Sequence, residues 1–222
     1  MPSIYQQTLG SDFTKLHPRV QERFALTSES GRHMIGRGVM DRVYRGGFYT
    51  LPFLYVGTWR RIMFPETAAN VPFTIENYAY RDSFGRETVT WLRTFQTRRV
   101  RRFDAYMIHS AARGRIVDYL GTHQHLAVDI DLSVAPNGGL RLRSGAQRFY
   151  EGPLAFRFPM ALSGVADVCE WFDDAIGQYR IDVRVSNSRF GTLFGYHGRF
   201  DVETVEGPPP PHAYPRREER RE

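Results

Sequence analysis

One stretch of this sequence places a charge among aromatic residues. Along Glu87–Phe95 the side chains alternate, with Glu87, Val89, Trp91, Arg93 and Phe95 on one side and Thr88, Thr90, Leu92 and Thr94 on the other. If the aromatic side faces inward, Arg93 is a guanidinium flanked by Trp91 and Phe95. A buried charge without a partner is costly, so a carboxylate should meet it. The candidates are Glu87 on the same face, Asp41 beside Val39 and Val43, and Glu76 among Thr74 and Tyr78. Such a cluster is either a structural ion pair at the end of a barrel or a polar group that orients a ligand's carbonyl or carboxylate.

Other candidates carry less chemistry. His123-Gln124-His125 followed by Asp129 and Asp131 is similar to the first metal-binding motif of cupins. The opposite face of that segment, however, is the apolar row Leu126, Val128, Ile130, Leu132 and Val134, so the acidic face should point to solvent. No second motif with a third histidine follows, and no metal site is expected. Gly36-x-Gly38 lacks both a third glycine and a preceding strand, which argues against a dinucleotide site. There is no Gly-x-Ser-x-Gly elbow. Cys169, the single cysteine, reads as inert strand filler, and His109 as a surface residue at a strand end.

The elements that must position Arg93 are strands. From Gly36 onward the pattern has period two, and turn residues recur at Asp82-Ser83-Phe84-Gly85, Pro136-Asn137-Gly138-Gly139 and Asp173–Gly177. About ten consecutive strands predict a mainly β fold, an antiparallel up-and-down barrel or strongly rolled sheet of lipocalin-like architecture. Residues 1–30 read as short helices, with Pro18 in a first turn. Residues 48–64, apolar, aromatic and broken by Pro52, read as an inserted helix or lid. Residues 1–206 would then form one domain, and 207–222, with Pro208–Pro211 and a run of charges, a flexible tail. In the later strands Tyr179, Ile181, Val183 and Val185, then Phe194, Tyr196, Phe200 and Val202, form inward rows.

Composition narrows the class. With 41% apolar and 14% aromatic residues in 222, the chain can build a sizeable core. No apolar run reaches the roughly 20 residues of a membrane-spanning helix. A lone cysteine excludes an internal disulfide and makes a reducing cytoplasm the expected home. The net charge is +6, but Lys15 is the only lysine and acidic residues interrupt the arginine-rich tail. Neither a nucleic acid nor a membrane is therefore expected as a partner.

Several local sequences resemble the uncharacterised bacterial family DUF4166. They are Ile4-Tyr5-Gln6 with Leu9-Gly10, Leu16-His17-Pro18, Gly36-Arg37-Gly38-Val39-Met40, Arg45-Gly46-Gly47, Val71-Pro72-Phe73-Thr74 and Trp91-x-Arg93-x-Phe95. The resemblance runs to about Val205. In that family the domain sometimes follows an NAD(P)-binding reductase-like domain; here a stand-alone copy is expected. The resemblance implies no catalytic residue and no cofactor.

The sequence thus leads to one functional expectation: a bulky, mostly apolar small molecule bound inside the barrel. Cyclisation or isomerisation of a polyketide- or terpenoid-like substrate, without metal or redox cofactor, suits such an interior. Arg93 with Glu87 or Asp41 would polarise an oxygen, while Trp91, Phe95, Tyr78, Tyr196 and Glu76 would shape or line the site. A non-catalytic carrier and an accessory protein are the alternatives, and a homodimer is compatible with either.

Overall fold

Strands whose residues alternate between apolar and polar can bury one face only by closing on themselves or on a second layer. This chain closes. The computed structural model describes residues 1–222, Leu162 by its backbone alone. Its strands are β1 (Arg32–Arg45), β2 (Ala68–Asn77), β3 (Ala79–Arg81), β4 (Glu87–Gln96), β5 (Val100–Ser110), β6 (Arg115–Leu120), β7 (Leu126–Val134), β8 (Leu140–Glu151), β9 (Leu154–Phe158), β10 (Val165–Asp173), β11 (Gln178–Asn187) and β12 (Gly191–Glu206). Every pairing is antiparallel, and neighbours in sequence mostly pair. The last strand returns to the first, from Arg32↔Glu206 to Arg45↔Phe194. β10 pairs with the first half of β8, from Glu170↔Leu140 to Asp167↔Arg143, and completes a closed ring of ten strands. β3 continues β2 beyond Tyr78, and β9 forms a flap on the second half of β8.

The barrel has a plugged end and a lidded one. At the first, α1 (Ile4–Leu9) and α2 (Pro18–Phe24) insert Ile4, Tyr5, Val20 and Phe24 into the core. Ser3 caps α1, and its hydroxyl donates to the Phe24 carbonyl at 2.7 Å, which ties the two helices together. Arg23 pairs with the fully buried Glu170 of β10, so the plug carries its own compensated charge. At the other end lies α3 (Leu51–Arg60), entered through a 3-10 turn at Phe48–Thr50. It ends at Arg61 in a left-handed conformation, φ 59°. That unfavourable backbone is held in place: the Arg61 carbonyl accepts the Asp104 N–H at 2.9 Å, and its guanidinium reaches Asp104 at 3.3 Å.

Two details differ from the sequence reading. A bulge between Met40 and Arg42 shifts the β1–β12 register, so Met40 and Val43 both point inward. The tail, expected to hang free, instead runs along the outside of the barrel. Ala213 is fully buried there among Tyr78, Leu92, Tyr106, Tyr119 and Tyr150. The tail backbone is also hydrogen-bonded to the barrel, Arg216 N–H to the Thr122 carbonyl at 2.7 Å and Glu219 N–H to Gln124 Oε1 at 2.6 Å.

Candidate functional site

The inward face of β4 carries Val89, Trp91, Arg93 and Phe95, all buried. Trp91 donates its indole N–H to the Tyr5 hydroxyl of the plug at 2.9 Å, which fixes the floor of the interior. Above it a cavity of about 580 Å³ runs toward α3, within the roughly 300–1,000 Å³ of pockets that enclose small ligands. Its walls are mainly apolar, with Phe103, Met107, Val128, Leu142, Val168 and Val183 from successive strands. The mouth lies between α3, the β9 flap and the β11–β12 turn, where Trp59, Phe158 and Phe190 contribute.

Two charged side chains face the cavity interior, apart from Arg60 and Glu151 at the mouth. Arg93, 4% exposed, lies with its guanidinium carbon 3.8 Å from the Phe103 ring centroid and 5.6 Å from that of Trp91. Its Nε donates to the Phe103 carbonyl at 3.3 Å and its Nη1 to the Tyr196 hydroxyl at 3.1 Å. The aromatic faces and neutral acceptors supply part of what water would. The second charged group is Asp118 of β6, 7% exposed. Its Oδ1 is buried without a hydrogen-bond partner among the described residues. Burial raises its carboxyl from 3.8 to about 7, against the opposing pull of Arg93 and of a hydrogen bond from the Tyr106 backbone. A carboxyl poised near neutrality opposite an arginine, in an apolar cavity, is equipped to take and return a proton.

The other sequence candidates go elsewhere. Asp41, pushed outward by the β1 bulge, meets Arg199 at 3.2 Å and Arg180 at 3.9 Å. Glu87 does start the inward face of β4, but it caps the N-terminal segment, accepting from the Ser28 N–H and hydroxyl at 2.6 Å each. Glu76 points outward, because Val71, Phe73 and Ile75 hold the inward phase of β2. It accepts from the Tyr78 hydroxyl at 2.7 Å and lies 2.8 Å from His212 of the tail. Tyr78 belongs to the outer cluster under the tail. Phe95 is inward but packed solid, its ring 5.0 Å from both Phe64 and Phe73 and 4.9 Å from Tyr196. Of the eight candidates, Trp91 and Arg93 line the cavity, and Tyr196 supports Arg93 from behind.

The histidine motif is split between the two faces. His125 turns inward at the mouth, its Nδ1 2.9 Å from Glu151 and its ring stacked 5.3 Å from that of His123. Asp129 and Asp131 turn outward and are engaged by Arg148 at 2.6 Å and Arg115 at 3.1 Å.

The family model described as Domain of unknown function (DUF4166) matches residues 16–200. The chain belongs to this family. The DUF4166 match includes β4, β6, α3 and nearly the whole barrel wall, and hence Arg93, Asp118 and the mouth. A curated relative, "Uncharacterized protein YndH" of Bacillus subtilis (strain 168), is 33% identical over 208 residues, covering 93% of this chain and 100% of the relative. No solved structure matches this DUF4166 chain.

Proposed function

We propose that the barrel binds one bulky, mostly apolar small molecule and moves a proton on it, giving isomerisation or ring closure with no redox change. The observation that carries this reading is Asp118: a cavity-facing carboxyl with an unpaired oxygen and a pKa near 7, opposite a buried arginine. A merely structural ion pair would bring the two groups into contact, whereas Asp118 and Arg93 influence one another across space. In the proposed reaction the Asp118 carboxylate removes a proton from a carbon next to a carbonyl. The Arg93 guanidinium stabilises the negative charge developing on that oxygen. The proton then returns to a different carbon, or the enolate carbon attacks a second carbonyl and closes a ring, the carbonyl π bond breaking to an alkoxide that takes the proton back from the Asp118 carboxyl. The apolar walls hold the chain folded for either outcome, as a polyketide- or terpenoid-like skeleton requires. No cofactor enters this balance.

A carrier without chemistry is the second reading, favoured by the wide apolar mouth. Binding of the fluorescent fatty acid cis-parinaric acid tests what both readings share. Arg93→Met should weaken it by about tenfold or more, with the melting temperature little changed; a variant that simply unfolds would return Arg93 to a structural role. Deuterium incorporation next to the carbonyl of a bound long-chain ketone, in heavy water, separates the two. Incorporation lost in Asp118→Asn supports catalysis, and stoichiometric binding without incorporation supports the carrier.

A further inference from the structure

Around the cavity mouth the molecule turns aromatic side chains toward water. Phe48 is 82% exposed, Phe53 69%, Val56 68% and Trp59 76%. Single exposed apolar residues are ordinary, but a contiguous patch marks a docking surface. This patch is contiguous. Tyr49, on the turn into α3, has its ring 6.2 Å from that of exposed Phe190. On the facing flap, exposed Phe156 packs 5.2 Å from the cavity-lining Phe149.

Its charge is mainly basic, the carboxylate at the mouth, Glu151, being engaged by Arg217 at 3.3 Å. Residues 46–65 contain no aspartate or glutamate. Arg45 lies 5.6 Å from the Phe48 ring and Arg60 4.1 Å from the Trp59 ring, while Arg189 adjoins Phe190 and is exposed. Among the described residues none of the three is in an ion pair. Arg45 donates to the Pro65 and Gly46 carbonyls at 3.0 and 2.8 Å, but none of the three has a carboxylate partner among the described residues. Aromatic rings interleaved with such arginines suit the boundary between lipid headgroups and acyl chains. The patch is also continuous with the cavity, since Phe53, Val56 and Trp59 line both. Whatever covers the patch is therefore what an apolar ligand meets on leaving.

We infer that this face docks on an anionic lipid bilayer, with Phe48, Phe53 and Trp59 entering the headgroup layer and Arg45, Arg60 and Arg189 meeting lipid phosphates. The cavity would then exchange its ligand directly with the membrane, a consequence that rests on the ligand-binding reading above. Docking itself does not. The inference departs from the expectation of no membrane partner; a docking face needs no spanning segment, and among the described residues no helix is long and apolar enough to cross a membrane.

Flotation with phosphatidylcholine vesicles, with and without phosphatidylglycerol, tests the inference. The protein should float with the anionic vesicles and far less with phosphatidylcholine alone. Phe53→Ser with Trp59→Ser should lower the bound fraction by about tenfold or more without changing the circular dichroism spectrum. Replacing Arg45, Arg60 and Arg189 by Gln should remove the preference for phosphatidylglycerol. Emission of Trp59 should shift to shorter wavelength on anionic vesicles, and Trp59→Phe should lose that shift, because Trp91 is buried and Trp171, beside Arg180 and next to the Glu170 that pairs with the plug, lies toward the opposite end of the barrel. Ala166→Trp, placed inside the cavity, should still float while losing cis-parinaric acid, so failure of the ligand reading would leave the docking result intact. Absence of flotation on anionic vesicles would overturn the inference, and so would flotation unaffected by the Phe53 and Trp59 changes. A dimer that the same double substitution dissociates, with no vesicle binding, would assign the patch to a second copy of the chain instead.

Discussion

Asp118 is held in its less stable environment by its neighbours, and that has a measurable sign. Its folded carboxyl titrates at about 7 instead of 3.8, so the folded state keeps a proton that the unfolded chain releases. Stability must therefore fall as pH rises through that interval, reaching its full loss above the folded value. Asp118→Asn should flatten this dependence. In urea unfolding near pH 8 the variant should be more stable than wild type by up to about 4 kcal/mol, with the gap closing in acid. A wild type that is the more stable of the two at the higher pH would contradict the assignment. Arg93 was legible in the sequence because it interrupts an aromatic row whose opposite face is threonine-rich. Asp118 was not. Its face, Ile116 and Leu120, and the opposite one, Val117 and Tyr119, are equally apolar. Both faces are buried, the outer beneath the tail, so alternation gave no direction in which to point the carboxylate.

At the scale of elements, the strands and their turns follow from period-two patterning, and the inserted helix from its greasy, Pro-containing composition. What pattern alone misses is the place where a strand breaks phase. The β1 bulge carries Asp41 from the face expected for it to the outer one, and with it goes one predicted partner of Arg93. The same strand explains Gly38, which belongs to no nucleotide motif. A Cβ there would lie 2.1 Å from the Arg199 carbonyl oxygen and 2.5 Å from the Phe200 Cα across the closing β1–β12 pair. Gly38→Ala should therefore cost about 2–3 kcal/mol, measured by urea unfolding. Arg37→Ala, on the neighbouring exposed position, should stay within about 0.5 kcal/mol. Equal effects would mean that the seam is not tight.

For the whole molecule, the layout is a barrel with one end plugged by α1 and α2, the other opening beneath α3, and an outer wall strapped by the tail. Docking of the tail is not visible in the sequence, because Pro208–Pro211 and alternating charges have the composition of a disordered segment, whereas the contacts depend on Ala213 and on polar groups spread over β2 to β8. Closure and the plug leave the cavity opening beneath α3, with the Arg93–Asp118 pair as the charged feature of a mainly apolar interior. Occupation of the cavity by a ligand is the claim on which the proposed function depends. Native mass spectrometry of the freshly purified protein tests that claim directly. The expected result is a non-covalent adduct of an apolar compound, released by organic extraction and absent from Ala166→Trp. Bare protein that also fails to take up added apolar ligands, or an adduct retained unchanged by Ala166→Trp, would contradict it.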